Sequence, residues 1–147
     1  MQLTDSFTIR ASPEKVWAFL LDLEEMGRCV PGLASVEKVD EKTYRGTLKV
    51  KVGPVAAAFG GKATLTEFDP PRRMAAVLEG DDKLIASMVK ASFTATLTAV
   101  EVGTEVAYQM EVSLRGRLAQ FGTTVVSATA QKMTAEFAQN VRTKLEG

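Results

Sequence analysis

Gly60-Gly61-Lys62, inside the stretch KVGPVAAAFGGKA (residues 51–63), is where residue types first suggest a reaction centre. A lysine behind paired glycines can cradle phosphate, but that loop needs G-x-x-x-x-G-K-[ST] between a strand and a helix. Ala56 stands where the first glycine belongs, Gly53 lies too far back, and Ala63 replaces the magnesium-binding hydroxyl. The residues after Lys62 alternate as a strand, so no helix N-terminus faces a phosphate. The spacing argues against a phosphate site.

The rest of the chemical inventory is thin. The chain of 147 residues has no histidine and one cysteine. A Ser-His-Asp triad and a histidine-rich metal site are therefore impossible, and no metal ligand set suggests itself. Cys29 has Arg28 beside it, which can lower a thiol pKa, but no base to activate it; a small packing residue is the simpler reading. Glu24-Glu25 and Asp81-Asp82 read as solvated clusters rather than acid/base pairs. Eighteen basic residues balance eighteen acidic ones, which argues against a nucleic-acid footprint. A lone cysteine fits a reducing, intracellular setting. No run approaches the ~18 apolar residues of a membrane span.

The elements that must position any site are clearer. Residues 2–10 alternate as a strand. Ser12 then Pro13 are a cap and first turn for a helix with Val16, Phe19, Leu20 and Leu23 on one face. Gly27, Pro31 and Gly32 confine the next segment to a short helix or turn ending near Pro31. Strands are expected on either side of a turn at Asp40-Glu41-Lys42, then, past a turn or kink at Gly53-Pro54, along a bent strand running on through Ala63 and Leu65 to a stop at Asp69-Pro70-Pro71, and after that stop. Two more flank Gly103. Tyr44, Gly46, Leu48, Val50 and Val52 share one strand face. From about Leu118 to Leu145 one proline-free helical segment carries Leu118, Phe121, Gly122, Val125, Met133, Phe137 and Val141 as an apolar stripe. Hairpin-linked strands with helices over one face make an α+β fold, as a single domain over residues 1–147.

Gly46, Gly60, Gly61, Ala57, Ala63, Ala91 and Ala95 are small residues expected to face the helices. They either let the long helix approach closely or leave a space beneath it. Phe59, Met74, Phe93, Met110 and Phe121 around them suit the rim of an apolar pocket. The residue pattern leaves the two readings open.

The element order resembles the helix-grip fold of the START and birch-pollen-allergen superfamily, a curved antiparallel sheet wrapped around a long C-terminal helix. Within it, VWAFLLDLEEMGRCVPGLASVE, YRGTLKVKVGPVAAAFGGKATL, DPPRR and GRLAQFGTTVVSATAQKMTAEF resemble the CoxG family, the G subunits of carbon monoxide dehydrogenase, over essentially the whole chain. The specific parts are Cys29-x-Pro31-Gly32 and Val52-Gly53-Pro54.

The resemblance implies a non-catalytic partner of molybdenum-containing carbon monoxide dehydrogenases and related hydroxylases, at the inner face of the cytoplasmic membrane. It also implies menaquinone or a similar lipophilic quinone as a bound ligand, with no covalent cofactor. Expected cavity walls are Leu48, Val50, Phe59, Met74, Phe93, Met110, Phe121 and Val125. Cys29, Pro31, Gly32 and Leu33 are expected at the mouth. Two alternatives stand beside this reading. One is a cyclase- or aromatase-type enzyme, for which Tyr44, Glu67, Tyr108 and Glu111 are the available acid/base groups. The other is a recruitment or assembly factor without a ligand.

Overall fold

The computed structural model describes residues 1–146. Strand β1 (Gln2–Ile9) leads into α1 (Pro13–Leu21) and α2 (Leu23–Cys29). Then come β2 (Leu33–Lys38), β3 (Thr43–Val52), β4 (Val55–Asp69), β5 (Arg73–Asp82), β6 (Ser87–Val100) and β7 (Gly103–Gly116). Helix α3 (Gly122–Glu146) closes the chain. The seven strands form one antiparallel sheet in the order β1-β7-β6-β5-β4-β3-β2. Only β1 leaves sequence order, pairing with β7 after the helices have crossed between.

The short helices form where the local signals put them. Ser12 Oγ accepts the Lys15 N–H at 3.3 Å, and Pro13 needs no partner for a missing N–H. Asp22 ends α1 and caps α2, its Oδ1 accepting the Glu25 N–H at 3.2 Å. The face of α1 so presented buries Val16, Trp17 and Phe19, each contributing about 2 kcal/mol of apolar burial.

The C-terminal segment differs from one continuous helix. Residues Arg117–Phe121 form a 3-10 turn, and Gly122, at φ 79°, starts α3 after it. Leu118 is therefore not on the α3 stripe. It is fully buried in the 3-10 turn, where its N–H donates to Ser87 Oγ at 3.1 Å.

Glycines cluster on the inner face of the middle strands, and the register shows what they do there. Gly46, Gly61 and Gly80 lie side by side across β3, β4 and β5 on the inner face. A Cβ at Gly46 would come within 2.5 Å of the Ser35 carbonyl, and one at Gly61 would collide with the Glu79 carbonyl. These glycines let backbones close on one another along the fold of the sheet rather than leave room. Gly60 departs from expectation: it pairs with Asp81 and Thr47 on the outer face, where a Cβ would meet nothing within 4 Å. A bulge between Leu65 and Glu67 adds a bend.

Candidate functional site

Two closed clusters pack the inner face at opposite ends. The first joins Ile9, Trp17, Cys29, Leu97, Val106 and Val141, with Met74 and Phe137 against it. The second joins Val52, Ala57, Phe59 and Leu118, with Val50, Ile85, Phe121 and Val125 against it. Between them lie two rows of inward side chains that belong to neither cluster. Strand pairing sets one as Tyr44, Ala63, Leu78, Ala91 and Val112, the other as Leu65, Ala76, Phe93, Met110 and Leu3.

Except for Ala76 and Ala91, these row residues are only half-buried, as are Leu48 on β3 and Ala130 and Met133 on α3. An inward-facing side chain keeps accessible surface only where a water-sized space adjoins it. These central rows thus belong to neither cluster and keep accessible surface. Phe93 stacks on buried Tyr108 there, ring centroids 6.4 Å apart.

The eight residues expected as cavity walls fall in different parts of the inner face. Leu48, Phe93 and Met110 lie in neither cluster. Val50, Phe59, Phe121 and Val125 belong to the second cluster, and Met74 packs on the first. Ala63, Leu65, Leu78, Val112 and Met133 were not singled out as walls. Alternation puts the strand residues on the right face, but only the register shows which of them share the central rows.

Of the turn expected at the mouth, Cys29 is a core residue, 5 % exposed, with its carbonyl accepting the Asn140 amide at 3.0 Å. Burial pushes its thiol pKa up, so the thiol stays protonated at neutral pH, which fits a packing role. Pro31 and Leu33 are half-buried, and Gly32 is exposed, with its carbonyl accepting the Lys49 N–H at 2.8 Å.

The four groups considered for acid/base work separate. Tyr44 and Tyr108 face inward. Glu67 lies outside, in an exposed pair with Arg73 at 3.1 Å, and Glu111 pairs with the N-terminal amine at 3.3 Å. Asp82 corrects the reading of Asp81-Asp82 as solvated. It is 9 % exposed, and its two oxygens accept the Ala58 N–H at 2.8 Å and the Leu84 N–H at 3.0 Å. Among the described residues no group of three metal-ligating side chains forms.

Charge is unevenly placed. The row Glu37, Arg45, Lys62, Glu79, Lys90 and Ser113 crosses the outer face. From that row to the Gly53-Pro54 turn, the strands and connections carry eight basic side chains: Arg45, Lys49, Lys51, Lys62, Lys83, Lys90, Arg115 and Arg117. Only four acids lie there: Glu37, Glu79, Asp81 and the buried Asp82. Among the described residues none of the eight cations has a carboxylate within 4.0 Å; the six ion pairs all lie elsewhere. A hollow of about 670 Å3 opens on this outer face, over Gly60 and between Arg45, Lys62, Lys90 and Arg115. No helix is long and apolar enough to cross a membrane.

The fold recurs in solved structures. A conserved protein from Geobacillus kaustophilus superposes with a TM-score of 0.91 at 20% identity, covering 99% of this chain and 95% of that one. A START superfamily protein from Mycobacterium smegmatis gives 0.76 at 12% identity, covering 99% and 97%. A protein from Thermus thermophilus gives 0.74 at 16%, again covering 99% and 97%. At these identities the likeness is one of fold, and the fold is the START-like helix grip. Among curated proteins none matches the chain. The sequence family is settled by a match running from residue 6 to residue 146, from within β1 through α1, the other six strands and α3: the chain belongs to the CoxG family, the G subunits of carbon monoxide dehydrogenase.

Proposed function

We propose that this protein is a non-catalytic carrier of a lipophilic ligand of the menaquinone type. In this reading it serves a molybdenum-containing carbon monoxide dehydrogenase or a related hydroxylase at the inner face of the cytoplasmic membrane. The observation that carries the reading is the set of apolar side chains between the two clusters, where Leu48, Leu65, Leu78, Phe93, Met110 and Met133 point inward yet stay half-buried. A wall of this kind can hold a prenyl chain without directional bonds. Burying about 500 Å2 of such a chain is worth roughly 12 kcal/mol before entropic and desolvation costs. Glu67 and Glu111, two of the groups a cyclase-type reaction would need inside, both point outward.

Mass spectrometry of an organic extract of the protein, made in its own host, tests the proposal. A stoichiometric lipophilic quinone is the expected result, together with quenching of Trp17 when menaquinone is added in detergent. An empty extract and unchanged fluorescence would count against it. Ala63→Phe is the variant that fills the middle, since Ala63 is half-buried between Tyr44 and Leu78. It should lower quinone binding while leaving the fold intact. Gly61 is unsuitable for this purpose because its missing Cβ faces backbone.

A further inference from the structure

We infer that the connection between β5 and β6 is a docking tip for an anionic bilayer, with Leu84 entering the interface and the surrounding cations meeting lipid phosphates. The inference rests on the carrier reading, since a lipid-borne ligand has to be collected from a membrane.

Leu84 is 96% exposed, the extreme among the large apolar side chains. A single exposed leucine is ordinary; this one sits on a connection tied at several backbone points. Its N–H donates to Asp82 Oδ1 at 3.0 Å, and Asp82 Oδ2 is itself held by the Ala58 N–H at 2.8 Å. Ser87 Oγ donates to the Ile85 carbonyl at 3.1 Å, and the Arg117 N–H donates to the Ala86 carbonyl at 3.3 Å. Ala86 is the non-glycine residue with positive φ, at 48°, a conformation costing about 1 kcal/mol that such surroundings must maintain. Ile85 packs into the second cluster while its neighbour Leu84 points away from it.

The setting of this tip is cationic and apolar together. Lys83 precedes Leu84, and Arg117 is bonded to the same loop through its backbone. Arg115 pairs across the strands with Met88, which is 60% exposed. None of these cations has a carboxylate partner among the described residues. Of the nearby acids, Asp82 is consumed by two backbone donors and Asp81 is half-buried on the outer face. Apolar side chains flanked by unpaired Lys and Arg suit the headgroup layer of an anionic membrane. A protruding apex favours lipid over an acidic protein surface, because a specific protein interface needs roughly 800 Å2 of complementary patch on each side, whereas a fluid bilayer deforms around one side chain.

Flotation with vesicles tests this. Wild-type protein should float with equal parts phosphatidylglycerol and phosphatidylcholine at low salt, and not with phosphatidylcholine alone. Leu84→Ser should lower partitioning roughly tenfold, by the apolar surface removed. Neutralising Lys83 or Arg117 should each lower it about fivefold. Leu84→Trp should show a blue-shifted emission on the anionic vesicles. Failure of the wild type to float, or Leu84→Ser floating like wild type, overturns the inference. So does a Leu84→Ser variant that keeps vesicle binding and loses only capture of a molybdenum hydroxylase, which would make the tip a protein contact. Trp17 quenching by menaquinone in detergent should be the same in Leu84→Ser and wild type. Wild-type protein that is quenched by menaquinone yet fails to float sinks the tip alone. Wild-type protein that floats without any quenching sinks the carrier reading alone.

Discussion

Asp82 shows how much one carboxylate can organise. Buried at the end of β5, it accepts one N–H from β4 and one from the β5–β6 connection, so it ties two segments that the ladder does not join. Asp82→Ala leaves both donors without an acceptor in a buried setting, which costs about 1–3 kcal/mol. A urea titration should show a lower midpoint with an unchanged slope, and Asp82→Asn should recover part of the loss. An unchanged midpoint would mean water replaces the carboxylate freely. In the sequence this residue looks like half of a solvated pair, because an adjacent Asp81 and a following Lys83 suggest a surface turn. Nothing local announces that Ala58, 24 positions earlier, turns its N–H toward the carboxylate.

At the scale of elements, the glycines of β3, β4 and β5 do the shaping. Gly60 and Gly61 are neighbours in sequence but opposite in consequence, because strand side chains alternate between faces. Gly61→Ala should cost about 3 kcal/mol or more through collision with the Glu79 backbone. Gly60→Ala faces open space and should be neutral or stabilising within about 1 kcal/mol. Thermal melts of the two variants decide it, and equal losses would refute the assigned register. The stretch KVGPVAAAFGGKA can be recognised as bent strand from its composition and its Gly53-Pro54 turn. Which glycine faces which layer emerges only from pairing with β5.

For the molecule as a whole, α3 is held unevenly. Its C-terminal half is fastened by Asn140 to the Cys29 carbonyl at 3.0 Å, by Lys144 to Glu25 at 2.8 Å and by Arg142 to the Thr8 carbonyl at 3.0 Å. Its N-terminal half comes after a 3-10 turn and rests on apolar contacts of Phe121 and Val125 over the Gly53 turn, plus one contact from Ser127 Oγ to the Met1 sulfur at 3.0 Å. Amide hydrogen exchange should therefore be faster over Gly122–Met133 than over Phe137–Leu145, with the fast half nearest the connections that close the second cluster. The reverse order would argue against this uneven anchoring. Net charge of zero conceals the same polarity. Among the described residues, eight of the fourteen lysines and arginines without an ion pair lie at the end of the sheet where α3 begins, and the six ion pairs lie elsewhere.

Local physics was enough to determine the element order, the α1 cap at Ser12, the turns at Asp40–Lys42 and Gly53-Pro54, and the face on which each strand is apolar. Alternation, capping and turn chemistry act between near neighbours, so they are written in a few consecutive residues. The same residues, as extended motifs, pointed to the CoxG family. Tertiary structure alone decided that Gly122 separates a 3-10 turn from α3, that Cys29 lies within the first cluster, and that Asp82 is buried. It alone decided that the expected wall residues divide between two clusters and the rows between them, and that unpaired cations surround Leu84. Each of these depends on which distant strands lie side by side, and pairing between segments tens of residues apart leaves no mark in the sequence of either one.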